Sequence, residues 1–213
     1  GTLVGGHVKE PKTGLSKWVV SFDLNSLYPH LIMQYNISPE TFVTRLNDKV
    51  TIDDLLVGGA EKYGEYLDKT NCALAANLCL YSKEKRGFLP ALMDRMYNDR
   101  TMYKKQMIEV KKEYEKTKDK KLLKEIARLD NMQMAKKIQL NSAYGALGNQ
   151  YFRWFDINHA EAITMSGQLS IRWIEKKMNE YLNRLFKTEN MDYVVASDTD
   201  SIYITLEYLV HMM

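Results

Sequence analysis

The sequence of 213 residues is short of cysteine, with only Cys72 and Cys79. A single pair without a neighbouring Cys/His cluster excludes a disulfide scaffold and a structural zinc site. Both thiols read as small buried apolar groups of a protein kept in a reducing cytoplasm. Long apolar runs are missing as well. No stretch of about 18 apolar residues occurs, so no segment is expected to span a membrane. The opening Gly1-Thr2-Leu3-Val4 lacks the basic and apolar regions of a signal peptide. Excess charge of one sign is also scarce: the formal net is +3, which by itself predicts no partner. What remains is ordinary. Hydrophobic residues at 45% and charged residues at 27% suit a soluble globular chain that buries a core as one large domain or two small ones.

The distribution of charge is more informative than its sum. From Asp99 to Lys137 there are 13 Lys/Arg against 7 Asp/Glu, a net of +6, so the remainder carries a net of −3. A basic arm on a mildly acidic body suits a polyanion, although a solvated helical surface has the same composition.

Trp18-Val19-Val20-Ser21-Phe22 is β-branched and aromatic, which predicts a buried strand ending at Asp23. A short helix is expected over roughly Ser26 to Tyr35, with Asn25 or Ser26 near its cap and Pro29 in its first turn. Asn36 to Gly64 reads as loops with one small helix. Leu78 to Ser82 reads as a strand and Lys83 to Gly87 as a turn. From about Leu89 to Tyr144 apolar residues recur at helical spacing, through Leu92, Met96, Tyr103 and Met107 and again through Leu122, Ile126 and Leu129. Thr117-Lys118-Asp119-Lys120 breaks that pattern. Two long antiparallel helices in a hairpin are expected, with Gly145 and Gly148 marking their end. A third helix is expected over about Asn158 to Phe186. Tyr193 to Ala196 and Ile202 to Thr205 flank a polar turn, which predicts a β-hairpin with acids at its tip. The fold class is α+β: a small antiparallel sheet flanked by helices, carrying a long antiparallel helical hairpin.

Asp23 closes one apolar strand, and Asp198 and Asp200 sit where another turns. Aspartates are common turn formers, so either locus alone means little. If the strands are neighbours, the acids meet at one sheet edge and repel unless a cation neutralises them. Oxygen ligands without His or Cys favour Mg²⁺ or Mn²⁺. Two such ions about 3.5–4 Å apart assist in-line attack at phosphorus. This chemistry serves a nuclease, a phosphatase or a polymerase equally.

Three segments narrow the choice. Asp23-Leu24-Asn25-Ser26-Leu27-Tyr28-Pro29 resembles the D-x-x-S-L-Y-P element of B-family DNA polymerases. Lys137-Ile138-Gln139-Leu140-Asn141-Ser142-Ala143-Tyr144-Gly145 resembles their K-x-x-x-N-S-x-Y-G element. Asp198-Thr199-Asp200-Ser201 resembles their D-T-D-S hairpin, and the three occur in the family's order. Within the family, Asn36-Ile37-Ser38-Pro39-Glu40-Thr41 and Tyr144-Gly145-Ala146-Leu147-Gly148-Asn149 are most similar to the replicative enzymes of T-even-type bacteriophages. The resemblance covers nearly the whole chain.

That resemblance implies roles residue by residue. Asp23, Asp200 and the Leu24 carbonyl would bind the metals, with Asp198 close by and less consistently bound. Two Mg²⁺ ions, or Mn²⁺ in their place, would be the cofactors. Ser26 and Leu27 would offer backbone N–H groups near the triphosphate, and Tyr28 would pack under the sugar and exclude a 2′-hydroxyl. Arg100, Lys104 and Lys137 would bind phosphates, and Asn141 would hydrogen-bond one; Lys137, Asn141 and Tyr144, at i, i+4 and i+7, share a helix face. Tyr144 and Gly145 would lie against the nascent base pair. Lysines 111 to 121 read as solvent-facing. Residues 1–88 would form a first part of the palm, 89–145 the fingers and 146–213 a second part of the palm. The exonuclease and thumb domains would lie outside the chain.

The implied activity is template-directed transfer of a nucleotide from dNTP to a primer 3′-hydroxyl, in the cytoplasm of a bacterial host. The alternative is a folded nucleotide-binding fragment that needs separate exonuclease and thumb pieces. Primer-template DNA, dNTPs and, for a full enzyme, a sliding clamp would be the partners. Departures from the pattern are Ala196-Ser197 where Tyr-Gly is usual, His30 where Ser is commoner, and Leu3 ahead of Val4-Gly5-Gly6 where a tyrosine is frequent.

Overall fold

The computed structural model describes residues 5–212. Its central sheet has four antiparallel strands: β1 (Val8–Lys9), β2 (Val19–Asp23), β6 (Val194–Asp198) and β7 (Ser201–Thr205), in the order β1-β6-β7-β2. A smaller sheet joins β3 (Phe42–Arg45), β4 (Cys72–Leu74) and β5 (Cys79–Ser82), in the order β3-β5-β4. Among the described residues seven α-helices complete the fold: α1 (Leu27–Tyr35), α2 (Ile52–Leu56), α3 (Gly64–Thr70), α4 (Phe88–Thr117), α5 (Lys121–Leu147), α6 (Ile157–Phe186) and α7 (Glu207–Met212). The chain is therefore α+β, with small antiparallel sheets and a long helix pair.

Helix α6 is the beam that ties the molecule together. Its N-terminal half puts Ala162 and Ile163 into one core, with Ile32 of α1, Tyr81 of β5, Met93 of α4 and Leu140 of α5. Its C-terminal half puts Ile171, Leu182 and Phe186 into a second core under β6 and β7, with Val194, Ile202 and Ile204. The first core seats the helical hairpin, and the second seats the acidic β-turn. The hairpin and the acidic turn are thus both seated on one helix. Above its base the hairpin is held by its own seam, where Met107 and Leu129 are buried.

The break in the hairpin falls where the sequence puts it. Helix α4 stops at Thr117, Lys118 turns left-handed (φ 55°), and α5 starts at Lys121. Its far end differs, because α5 runs through Gly145 to Leu147 and only Gly148 caps it. The expected small cap on α1 also differs. Ser26 holds the cap position but is itself left-handed (φ 55°) and gives no side-chain cap bond. Between residues 36 and 64 there is more order than loops and one small helix: β3, α2 and the start of α3 lie there. Helix α2 carries a reciprocal capping box between Thr51 and Asp54, a local signal that the apolar pattern alone does not register. Strand β3 has no such local cause and depends on pairing with the distant β5.

Strand β2 is not buried. It is the sheet edge, and Val19 and Phe22 remain 42% and 52% exposed. Its residues are of strand type, but α6 packs on β6 and β7 and leaves the edge uncovered. Cys72 and Cys79 are buried free thiols, as expected.

His159, in the first turn of α6, is buried and shares a 2.8 Å hydrogen bond between its Nδ1 and the Tyr81 hydroxyl. Burial holds its imidazole below the ordinary value of 6.5, against the opposing pull of Asp156 and Glu40. The unfolded chain therefore takes up this proton first as pH falls. The contribution is full above about pH 6.5 and is lost progressively below it. Thermal unfolding between pH 7 and pH 5 is expected to show a falling Tm in the native protein and a flatter profile in His159→Gln. An unchanged slope in that variant would remove His159 from the account.

Candidate active site

Three parts of the chain converge on a cavity of about 490 Å³. The end of β2 and the following turn bring Asp23, Leu24, Asn25 and Ser26. The first turn of α1 brings Leu27, Tyr28 and Pro29. The hairpin brings Arg100 from α4 and Lys137, Asn141 and Tyr144 from α5, and the β6–β7 turn brings Thr199 and Asp200. For ten of these residues the family resemblance implies a chemical role; Asn25 and Pro29 have only structural ones, and Thr199 has none.

The acidic wall is built by strand pairing. Asp23 lies opposite Ser201 in the β2–β7 ladder. The Leu24 N–H donates to the Asp200 carbonyl at 2.7 Å, which ties the end of β2 to the turn. Thr199 occupies the left-handed region (φ 47°), and its N–H donates to the His7 carbonyl at 2.8 Å. Burial, followed by the charges of Asp23 and Asp198, lifts the Asp200 carboxyl above its usual range. Three negative groups therefore bear on one another, as the sequence leads one to expect of neighbouring strands.

They do not all share the cavity. The Asp198 carboxylate accepts the Thr199 hydroxyl at 3.0 Å and stands outside the lining. Among the described residues no group of three His, Cys, Asp or Glu side chains is arranged to hold a metal ion. The donor set still suits a hard cation in part. Two carboxylates face one cavity, and a cation seated there takes its other oxygens from a backbone carbonyl, water or a bound substrate.

The helical part of the lining is cationic. Neither Arg100 nor Lys137 forms an ion pair among the described residues, whereas the adjacent Lys136 pairs with Asp99 at 3.0 Å. The Arg100 Nε is buried without a partner, an arrangement that a ligand oxygen would satisfy. Lys104 lies one turn further along α4, in an adjoining cavity of about 270 Å³ that it shares with Arg100, Asn25 and Lys105. Lysines 111 to 121 are exposed.

The floor is aromatic. The rings of Tyr28 and Tyr144 stand 4.7 Å apart and tilted. Burial, then Tyr144, Asp200 and Asp198, push the Tyr28 phenol up to about 12, so it stays neutral. Beneath it lies Gly167 of α6, where a Cβ would come within 2.9 Å of the Tyr28 ring. An isolated glycine inside a helical pattern is a readable sign of close packing, although the sequence does not say against what. Gly145 is exposed and outside the lining, with open space where a side chain would be.

Comparison with known proteins agrees with the geometry. The family model for DNA polymerase family B matches residues 2–211. The chain is 32% identical to the DNA-directed DNA polymerase of Escherichia phage RB69 and 34% identical to that of Enterobacteria phage T4, in each case over 97% of the chain. It is 32% identical over 96% of its length to a DNA polymerase of Pyrococcus glycovorans. The chain spans 27% of the length of each phage relative.

Proposed function

The chain belongs to DNA polymerase family B, and we propose that it forms the nucleotidyl-transfer core of such an enzyme, joining a dNTP to a primer 3′-hydroxyl on a DNA template. In this reading residues 1–88 and 146–213 are palm and 89–145 are fingers. One observation carries the proposal: two carboxylates, Asp23 and Asp200, line a single cavity together with two cations, Arg100 and Lys137, that form no ion pair among the described residues. A triphosphate with its divalent cations is a ligand that needs both walls at once.

The roles follow from position. Asp23 and Asp200, with the Leu24 carbonyl, would hold the divalent cations, and Mg²⁺ or Mn²⁺ held there would supply Lewis acidity to the attacking hydroxyl and positive charge to the phosphates. Lys137 and Arg100 bind the leaving phosphates from the other side, and Asn141 hydrogen-bonds them. The first turn of α1 has no side-chain cap bond from Ser26, so the Leu27 and Tyr28 N–H groups are available to a phosphate oxygen, while Pro29 has none and the His30 N–H is bound to the Ser26 carbonyl. Tyr28, wedged between Tyr144 and Gly167, forms a fixed floor under the sugar.

Primer extension by the purified chain with Mg²⁺ and dNTPs tests the proposal. Extension supports it, and cleavage of DNA without dNTP contradicts it. The chain's share of its relatives' length favours a second reading, a nucleotide-binding fragment that turns over only with further polymerase pieces. Binding of dNTP without extension, rescued by those pieces, distinguishes it. In any extending form, Tyr28→Ala is expected to raise ribonucleotide use relative to dNTP by roughly 10²-fold, because a removed ring no longer excludes one hydroxyl. Unchanged sugar selection removes the gate role from Tyr28.

A further inference from the structure

The segment 5–12 runs beside the acidic turn and is anchored away from it. Val8 and Lys9 pair with Asp198 and Ser197 of β6, and the Lys12 N–H donates to the Val195 carbonyl at 3.0 Å. The Lys9 ammonium bonds Glu175 of α6 at 2.6 Å and Asp192 at 2.8 Å. At its upper end the segment meets Thr199 twice. The His7 carbonyl accepts the Thr199 N–H at 2.8 Å. Gly6 lies so close that a Cβ there would stand 2.6 Å from the Thr199 Oγ1 and 3.1 Å from its Cγ2.

Thr199 needs such support. A β-branched residue in the left-handed region is disfavoured, and it persists where the surroundings hold it. Its hydroxyl is committed to the Asp198 carboxylate, so rotating the side chain away from Gly6 breaks that bond. The next residue is Asp200, whose carbonyl takes the Leu24 N–H beside Asp23. A displacement of Thr199 therefore passes directly to the separation of the two cavity carboxylates.

We propose that the segment 5–12 is a positioning strap for the turn that carries Asp200, with Gly6 and His7 setting the backbone of Thr199; this rests on the reading of Asp200 as a ligand of the nucleotide-bound cation. Gly6 is glycine because Thr199 occupies the place of its side chain. Its own backbone is outside the left-handed region, so an alanine tests the contact alone. Gly5 has nothing within 4 Å of an added Cβ and serves as the control.

The test compares the wild-type chain with Gly5→Ala, Gly6→Ala and the double variant Gly6→Ala/Thr199→Gly, which removes the obstructing side chain and suits the positive φ. Hydrogen exchange at the residue 199 amide is one readout, and Mn²⁺ binding in the presence of a dNTP is the other. Gly6→Ala is expected to speed exchange at residue 199 about tenfold or more, while the Ile204 amide keeps its protection. It is expected to weaken Mn²⁺ binding by about tenfold, as loss of a supporting contact does at metal sites. Gly5→Ala should match wild type in both, and the double variant should recover both. Wild-type protection at Thr199 in Gly6→Ala overturns the strap. So does fast exchange with unchanged Mn²⁺ affinity, or a failed rescue with Ile204 exchanging faster too. A wild-type chain that binds no Mn²⁺ with dNTP sinks the reading of the site itself, and the exchange data still report on the contact.

Discussion

Asp200→Asn is expected to lower dNTP incorporation by a factor on the order of 10³ while leaving Tm unchanged or raised, because on the proposed reading several kcal/mol of charge stabilisation go with the cation Asp200 would hold. The two effects have opposite signs for a physical reason. The Asp200 carboxyl sits above its usual range through burial and through Asp23 and Asp198, so its charge opposes folding. Removing that charge relieves the cluster. A residue whose charge destabilises the fold and whose removal stops turnover would serve chemistry and not structure. Measured together, turnover and thermal unfolding separate this account from a structural one. A variant that loses both activity and stability would make Asp200 a turn former.

Lys137→Ala is the second large effect. It is expected to lower kcat by about 10²–10³, the usual result of deleting one donor aimed at developing charge. Lys137 has no ion pair to lose within the described residues, so Tm should stay near that of wild type. Its neighbour provides the contrast. Lys136 spends its charge on Asp99 at 3.0 Å, and a partly exposed pair of this kind contributes little. Lys136→Ala should change turnover by less than about twofold. A Lys137→Ala enzyme with raised KM and unchanged kcat would contradict the role, since it would mean equal binding of ground and transition states.

The parts of the fold that were legible in the sequence are those with local causes. The α4–α5 break is written in Thr117-Lys118-Asp119-Lys120, where Lys118 goes left-handed. Helix α6, expected over about Asn158 to Phe186, runs from Ile157 to Phe186, and the Asp156 carboxylate caps it by accepting the Asn158 N–H at 2.8 Å. The β6–β7 hairpin shows as two apolar strands around a polar turn. What could not be read depends on distant partners. Strand β1 is two residues long and exists because β6 accepts it. The exposure of β2 is a matter of what covers it, and apolar residues do not declare their cover. Within the site, Asp23, Asp200, Lys137, Asn141 and Tyr28 were legible through spacing and family resemblance, and one cavity brings them together. The resemblance also kept Asp198 second to Asp200; in the structure the Asp198 carboxylate accepts the Thr199 hydroxyl and lies outside the cavity lining. Gly6, His7 and Gly167 act through side chains or backbone far away in sequence, so no window around them reveals their work.

The central claim is that the acidic and cationic walls hold one ligand between them. Calorimetric titration of a dNTP with Mn²⁺ into the wild-type chain, Asp200→Asn and Lys137→Ala tests it most directly. The account predicts binding by wild type and affinity lower by about tenfold or more in each variant, with the dNTP effect of Asp200→Asn present only when Mn²⁺ is present. Equal affinity in all three proteins, or a dNTP that binds wild type with no dependence on Mn²⁺, would contradict it.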